Sequence, residues 1–197
     1  WTDFFTAMVK HLDEKGWFDD AYVGIDERGL SETALNLLDT IKNKDGKTLK
    51  TAGAMDNLTG GEHPKLARRI DDLNVGDTVV QNNPEVFQQL LKDRNALGLK
   101  TTLYSCTGHI PGNFSLSAPA ENYWSILFAY KNGTTGFLCW AYDAWVEDPL
   151  RDTSHSSFEA GDCFLIFPDE KNVANPTAKS SIRLGKMAQG VRDVNKL

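Results

Sequence analysis

The chain has 197 residues, 41% hydrophobic and 24% charged, which is enough apolar material for a sizeable core and enough charge to clothe it. Its formal net charge is −6 at pH 7, and Lys and Arg are scattered with no basic run beyond Arg68-Arg69. That argues against a nucleic-acid partner, because phosphate binding needs a basic face. No apolar stretch is long enough to span a bilayer. The cysteines Cys106, Cys139 and Cys163 show neither a disulfide framework nor a zinc spacing, so they read as small buried residues and no metal is expected. The chain opens on Trp1 with no recognisable signal peptide, so its compartment is not legible from its ends.

In chain order, Phe4, Phe5, Met8, Val9 and Leu12 recur at helical spacing and predict a helix over 3–15, closed by Gly16. Residues 21–27, AYVGIDE, read as a strand running into two acids. Ser31 and Glu32 open a second helix carrying Leu35, Leu37, Leu38 and Ile41. A strand over 49–56 follows, then a helix after His63-Pro64 with Leu66, Ala67, Ile70 and Leu73. Residues 77–82, DTVVQN, read as a strand, and Pro84 suits the first turn of a helix over 84–96. Residues 100–106 form the next strand, 119–131 an aromatic helix, 135–143 a strand, 162–168 a strand, and 180–197 a closing helix.

Strand and helix thus alternate five times, which means a parallel sheet with helices packed outside it. An open doubly wound sheet and an eight-stranded barrel both fit this rhythm. No G-x-G-x-x-G follows the first strand, as a nucleotide-binding sheet would want. Polar and aromatic residues gather instead at strand C-terminal ends: Asp26-Glu27, Asp56-Asn57, Asn82-Asn83, Tyr104, and Trp140 with Tyr142-Asp143. Barrel enzymes build their sites at that face. The expected fold is therefore α/β, a (β/α)8 TIM-type barrel. Residues 1–197 are expected to form a single catalytic, partial-barrel domain supplying roughly the last five β/α units plus a C-terminal strand and helix, with the remaining strands upstream of Trp1.

The adjacent carboxylates Asp26 and Glu27 are the sharpest local feature. Like charges held together cannot both ionise easily, so one carboxyl can serve as general acid while its partner stays an anion. By contrast, Asp13-Glu14 reads as solvated helix surface and Asp169-Glu170 as a loop. A Cys106–His109 nucleophilic pair lacks an orienting third group, so His109 reads as a loop residue. Arg183 is expected in a structural ion pair, and Tyr123, Trp124, Phe128 and Tyr130 as core.

The stretch Gly136-Phe137-Leu138-Cys139-Trp140-Ala141-Tyr142-Asp143-Ala144-Trp145 continues into Asp148-Pro149; Gly161-Asp162 then leads into Phe164-Leu165-Ile166-Phe167-Pro168, and Ser181-Ile182-Arg183 opens the last helix. This order of blocks resembles glycoside hydrolase family 123 from about Tyr22 to the C-terminus. The last helix departs from the family pattern at Gly185 and at Ala188-Gln189. The resemblance implies a retaining exo-β-N-acetylgalactosaminidase that needs no cofactor and has no enzymic nucleophile, the substrate's own 2-acetamido oxygen attacking the anomeric carbon. Asp26 would orient the acetamido N–H, and Glu27 would act as acid and then base. Tyr104, Trp140, Tyr142 and Trp145 would form the sugar platform, with Asn82 and Asp56 binding hydroxyls. The partner would be a glycan or glycoconjugate ending in β-linked N-acetylhexosamine, and the compartment secreted or periplasmic. A β-N-acetylglucosaminidase, or an inactive carbohydrate-binding remnant, are the alternatives.

Overall fold

The computed structural model describes residues 1–25, 31–59, 61, 63–155, 158–169 and 177–197. These divide into two compact units, 1–101 and 102–197.

In the first unit, α1 (Thr2–Lys15) ends at Gly16, whose φ of +70° suits a residue without a Cβ. Its apolar stripe brings Val9, with Phe5, Met8 and Leu12, against Phe18, Ile41 and Leu49. Strand β1 (Tyr22–Ile25) is followed by α2 (Glu32–Thr40), whose Ser31 hydroxyl caps the helix by accepting the Ala34 N–H at 3.2 Å. Strand β2 (Lys50–Met55) buries every second residue. Next come α3 (His63–Ala67), β3 (Asp72–Gly76), α4 (Asp77–Asn82) and α5 (Pro84–Ala96). Asp71, just ahead of β3, accepts the Thr51 N–H at 2.7 Å.

Strand β4 (Lys100–Tyr104) spans the boundary between the units. In the second unit, α6 (Pro119–Lys131) is held at its start by Glu121, whose carboxylate accepts the Ala118 N–H at 3.1 Å and the Gly112 N–H at 2.8 Å. Strand β5 (Gly136–Phe137) pairs with β4. Strands β6 (Ile166–Pro168) and β7 (Ala178–Ser180) pair antiparallel in a sheet of their own. Helix α7 (Ile182–Val194) packs on α6. There a Cβ on Gly190 would stand 2.9 Å from Ile126 Cβ and 3.0 Å from the Tyr123 carbonyl, so the absence of a side chain sets how closely the two backbones approach. The main sheet has five strands in chain order, β1 to β5, with β1–β2, β2–β3 and β4–β5 parallel. The fold is mixed α/β, as expected.

Several expectations are corrected. DTVVQN is helix α4, and the strand is the preceding DLNVG, in which Leu73 and Val75 alternate inward. The strand expected over 135–143 is confined to Gly136–Phe137. Residues 162–168 contribute β6, half of an antiparallel pair rather than another parallel strand. On α6 the buried residues are Asn122, Ser125 and Ala129, one helical face of small side chains, while Trp124 and Tyr130 fall on its exposed flanks.

Candidate active site

Parallel pairing brings the C-terminal ends of the first unit's strands to one edge. Ile25, the last residue of β1, lies opposite Gly53, and Met55, the last of β2, opposite Val75. Asp56 follows β2 directly and is exposed. The next residue, Asn57, closes a turn, its side-chain oxygen accepting the Thr59 N–H at 2.8 Å. Asp77 follows β3 and is buried in the first turn of α4. The strand expected over 77–82 starts five residues beyond β3, and the alternation of Leu73 and Val75 is the sequence signal that sets β3 ahead of Asp77. Asn82 ends α4 rather than a strand, and is exposed. Asp26 and Glu27 lie outside the described residues.

In the second unit, Tyr104 ends β4 and is half-buried. Trp140, Tyr142 and Trp145 lie beyond β5 on irregular chain, between 43% and 56% exposed. They do not share a strand face, since no strand is present there. The order of this segment comes from residues 163–166. The Tyr142 carbonyl accepts the Leu165 N–H at 2.9 Å, the Ala144 N–H donates to the Cys163 carbonyl at 3.1 Å, and the Trp145 indole N–H donates to the Ile166 carbonyl at 2.8 Å. The Trp140 indole N–H donates to Asp162 Oδ2 at 2.8 Å.

Asp162 sits half-buried, and burial pushes its carboxyl above the ordinary value, against the pull of the Trp140 N–H, Arg183 and His155. Arg183 is 5% exposed and donates to three carbonyls, Asn113 at 2.6 Å, Gly161 at 2.5 Å and Phe164 at 2.7 Å. The expected ion pair is thus replaced by a guanidinium that satisfies orphaned backbone acceptors in three stretches of loop. Of the cysteines, Cys163 is buried and Cys106 and Cys139 are half-buried. Among the described residues no group of three His, Cys, Asp or Glu is placed to hold a metal, and no helix is long and apolar enough to cross a membrane.

The model of the glycoside hydrolase 123 catalytic domain matches residues 1–197, and the chain belongs to that family. It is similar to a family 123 glycoside hydrolase from Clostridium perfringens whose structure addresses glycolipid glycan hydrolysis. The TM-score is 0.89 and the identity 38%, over 100% of this chain and 34% of that one, so the chain spans about a third of that relative's length. No curated protein matches it.

Proposed function

We propose that this chain carries the chemistry of a retaining exo-β-N-acetylgalactosaminidase working by substrate-assisted cleavage. The observation that carries the reading is the family match over all 197 residues, together with β1 ending at Ile25, so that the two acids follow a parallel strand at its C-terminal end. In this reading residues 1–197 are one catalytic domain, and the five-stranded parallel sheet is part of an eight-stranded barrel.

The substrate's 2-acetamido oxygen attacks the anomeric carbon, while Glu27 transfers its proton to the glycosidic oxygen and the alcohol leaves. Asp26 accepts a hydrogen bond from the acetamido N–H as positive charge develops on the oxazolinium-like ring. Glu27, now a carboxylate, takes a proton from water, which adds to the anomeric carbon and reopens the ring. Two inversions give retention. Tyr104, Trp140, Tyr142 and Trp145 stack on sugar C–H faces, and Asp56 and Asn82 bind hydroxyls. The substrate is a glycan or glycoconjugate with a terminal β-linked N-acetylhexosamine. The chemistry runs on the acetamido group and two carboxyls alone.

Initial rates on the p-nitrophenyl β-glycosides of N-acetylgalactosamine, N-acetylglucosamine and galactose test this. Turnover of the first alone is expected. Preference for the second reassigns the sugar, and comparable rates on galactose, which lacks the nucleophile, refute the mechanism.

A further inference from the structure

The chain carries a formal charge of −6, yet four of its lysines fall within residues 42–50. Tertiary structure divides these four into two pairs. Lys47 Nζ donates to both carboxylate oxygens of Asp19, at 2.9 and 3.1 Å. Lys50 Nζ donates to the Asp19 carbonyl and lies 5.2 Å from the centre of the Tyr22 ring. Lys42 and Lys44 form no ion pair among the described residues. They line instead a cleft of about 350 Å³ between α1 and the turn that leads into β2.

That turn is fixed before any ligand arrives. Lys42 bridges to Thr48 across it, and Asn43 Oδ1 accepts the N–H groups of Asp45 at 3.0 Å and Lys47 at 2.8 Å. Gly46, at φ +79°, reverses the chain. Asp13 of α1 then ties the turn to the helix. One of its oxygens accepts from Asn43 Nδ2 at 3.1 Å and the other from the Lys44 N–H at 2.9 Å. The other acid in the cleft wall, Glu14, stands 3.9 Å from Lys10 with both side chains mostly exposed, which makes it a weak partner. The floor is apolar: Val9 is 3% exposed and belongs to the core of the first unit. Thr6, one helical turn before Lys10, adds a hydroxyl.

This composition selects a class of ligand. Three lysines face two carboxylates, one of which is already bonded to the turn, so the cleft is positive on an acidic chain and draws an oxyanion. An apolar floor gains nothing from a bare hydrated ion and favours one carried on an apolar body. A wall ordered in advance loses little entropy when it is covered. The turn leads directly into β2, so the cleft lies where the strands begin, at the opposite end from Ile25 and Met55. It draws on no residue of the glycan-cleaving reading.

We propose that this cleft binds a small ligand carrying an oxyanion (phosphate, sulfate or carboxylate) on an apolar body. Lys42 and Lys44 pair with the oxyanion, the Thr6 hydroxyl donates to it, and Val9 and the lysine stems meet the body.

The test is a titration of the whole chain with phenyl phosphate, inorganic phosphate, galactose 6-sulfate and benzyl alcohol, followed by the backbone amide NMR signals of Asn43 and Lys44. Phenyl phosphate is expected to saturate those signals and to bind about tenfold tighter than inorganic phosphate, because its ring buries an apolar face. Benzyl alcohol, which has the ring without the charge, should leave them unmoved. Lys42→Gln and Lys44→Gln should each weaken phenyl phosphate by about three- to fivefold, and the double variant should abolish saturation. Both side chains are exposed, so circular dichroism and melting temperature should not change. Lys131→Gln, an exposed lysine of α6, should leave binding as it is. Tighter binding of galactose 6-sulfate than of phenyl phosphate assigns the oxyanion to a glycan, and the reverse order assigns it to a free small molecule. Equal affinity for inorganic and phenyl phosphate, or saturation that survives in the double variant, means an adventitious ion only and overturns the proposal. A response to benzyl alcohol equal to that of phenyl phosphate overturns it as well.

Discussion

Arg94 Nε donates to Thr101 Oγ1 at 2.8 Å, and both residues are fully buried. The same guanidinium donates to the carbonyls of Ala67 and Lys100, and to Ile70 at 2.7 Å. These acceptors precede β3 or open β4, at the N-terminal ends of the strands. Burial pulls the Arg94 pKa down to about 10, with Asp72 and Asp71 opposing, so it stays charged at neutral pH. Arg94→Met leaves those carbonyls buried without a donor, and should cost about 3–5 kcal/mol in urea denaturation. A loss below about 1 kcal/mol would show that water replaces the guanidinium.

Gly161 has φ +81°, and a Cβ there would overlap Ser115 Oγ and stand 3.0 Å from Arg183 Nη2. Strain and clash act together, so Gly161→Ala should cost about 2–3 kcal/mol. Displacement of the adjoining Asp162 should also move the Trp140 indole N–H signal, which thermal melts and NMR read independently.

Asp162 gives a pH dependence whose sign follows from burial. Its folded carboxyl titrates above the ordinary 3.8, so the charged form is disfavoured on folding. The cost is fully present above the folded pKa and disappears as pH falls through it to 3.8. Asp162→Asn removes the charge and keeps an acceptor for Trp140. It should raise the melting temperature at pH 7 and give no gain below pH 3.8, as melts across that range would show. A gain that grows towards low pH would reverse the assignment.

Glu27→Gln retains shape and loses the transferable proton. Turnover of the aryl N-acetylgalactosaminide should fall by about 10²–10⁴-fold while circular dichroism and sugar binding stay unchanged. Activity surviving at native levels would remove Glu27 from the mechanism.

Helices α5 and α6 were legible to the residue, because helical periodicity and Pro84 and Pro119 at the first turn are local signals. The blocks running from Gly136 to Arg183 likewise identified the family, which the match over the whole chain bears out. Trp140 is visible within its sequence block, whereas the ring contacts of Phe158 with Trp140 at 5.5 Å and with His155 at 5.7 Å emerge only from the folded chain.

The sequence by itself determined the alternation of helix and strand and the kinship, since both reside in short runs of adjacent residues. Tertiary structure decided which run of apolar residues became β3, that residues 166–168 pair antiparallel with 178–180, and that Arg183 grips carbonyls rather than an acid. A strand of three to five residues has no internal hydrogen bonds, and a buried guanidinium takes whichever acceptors the packed chain leaves unpaired, so both depend on partners distant in sequence.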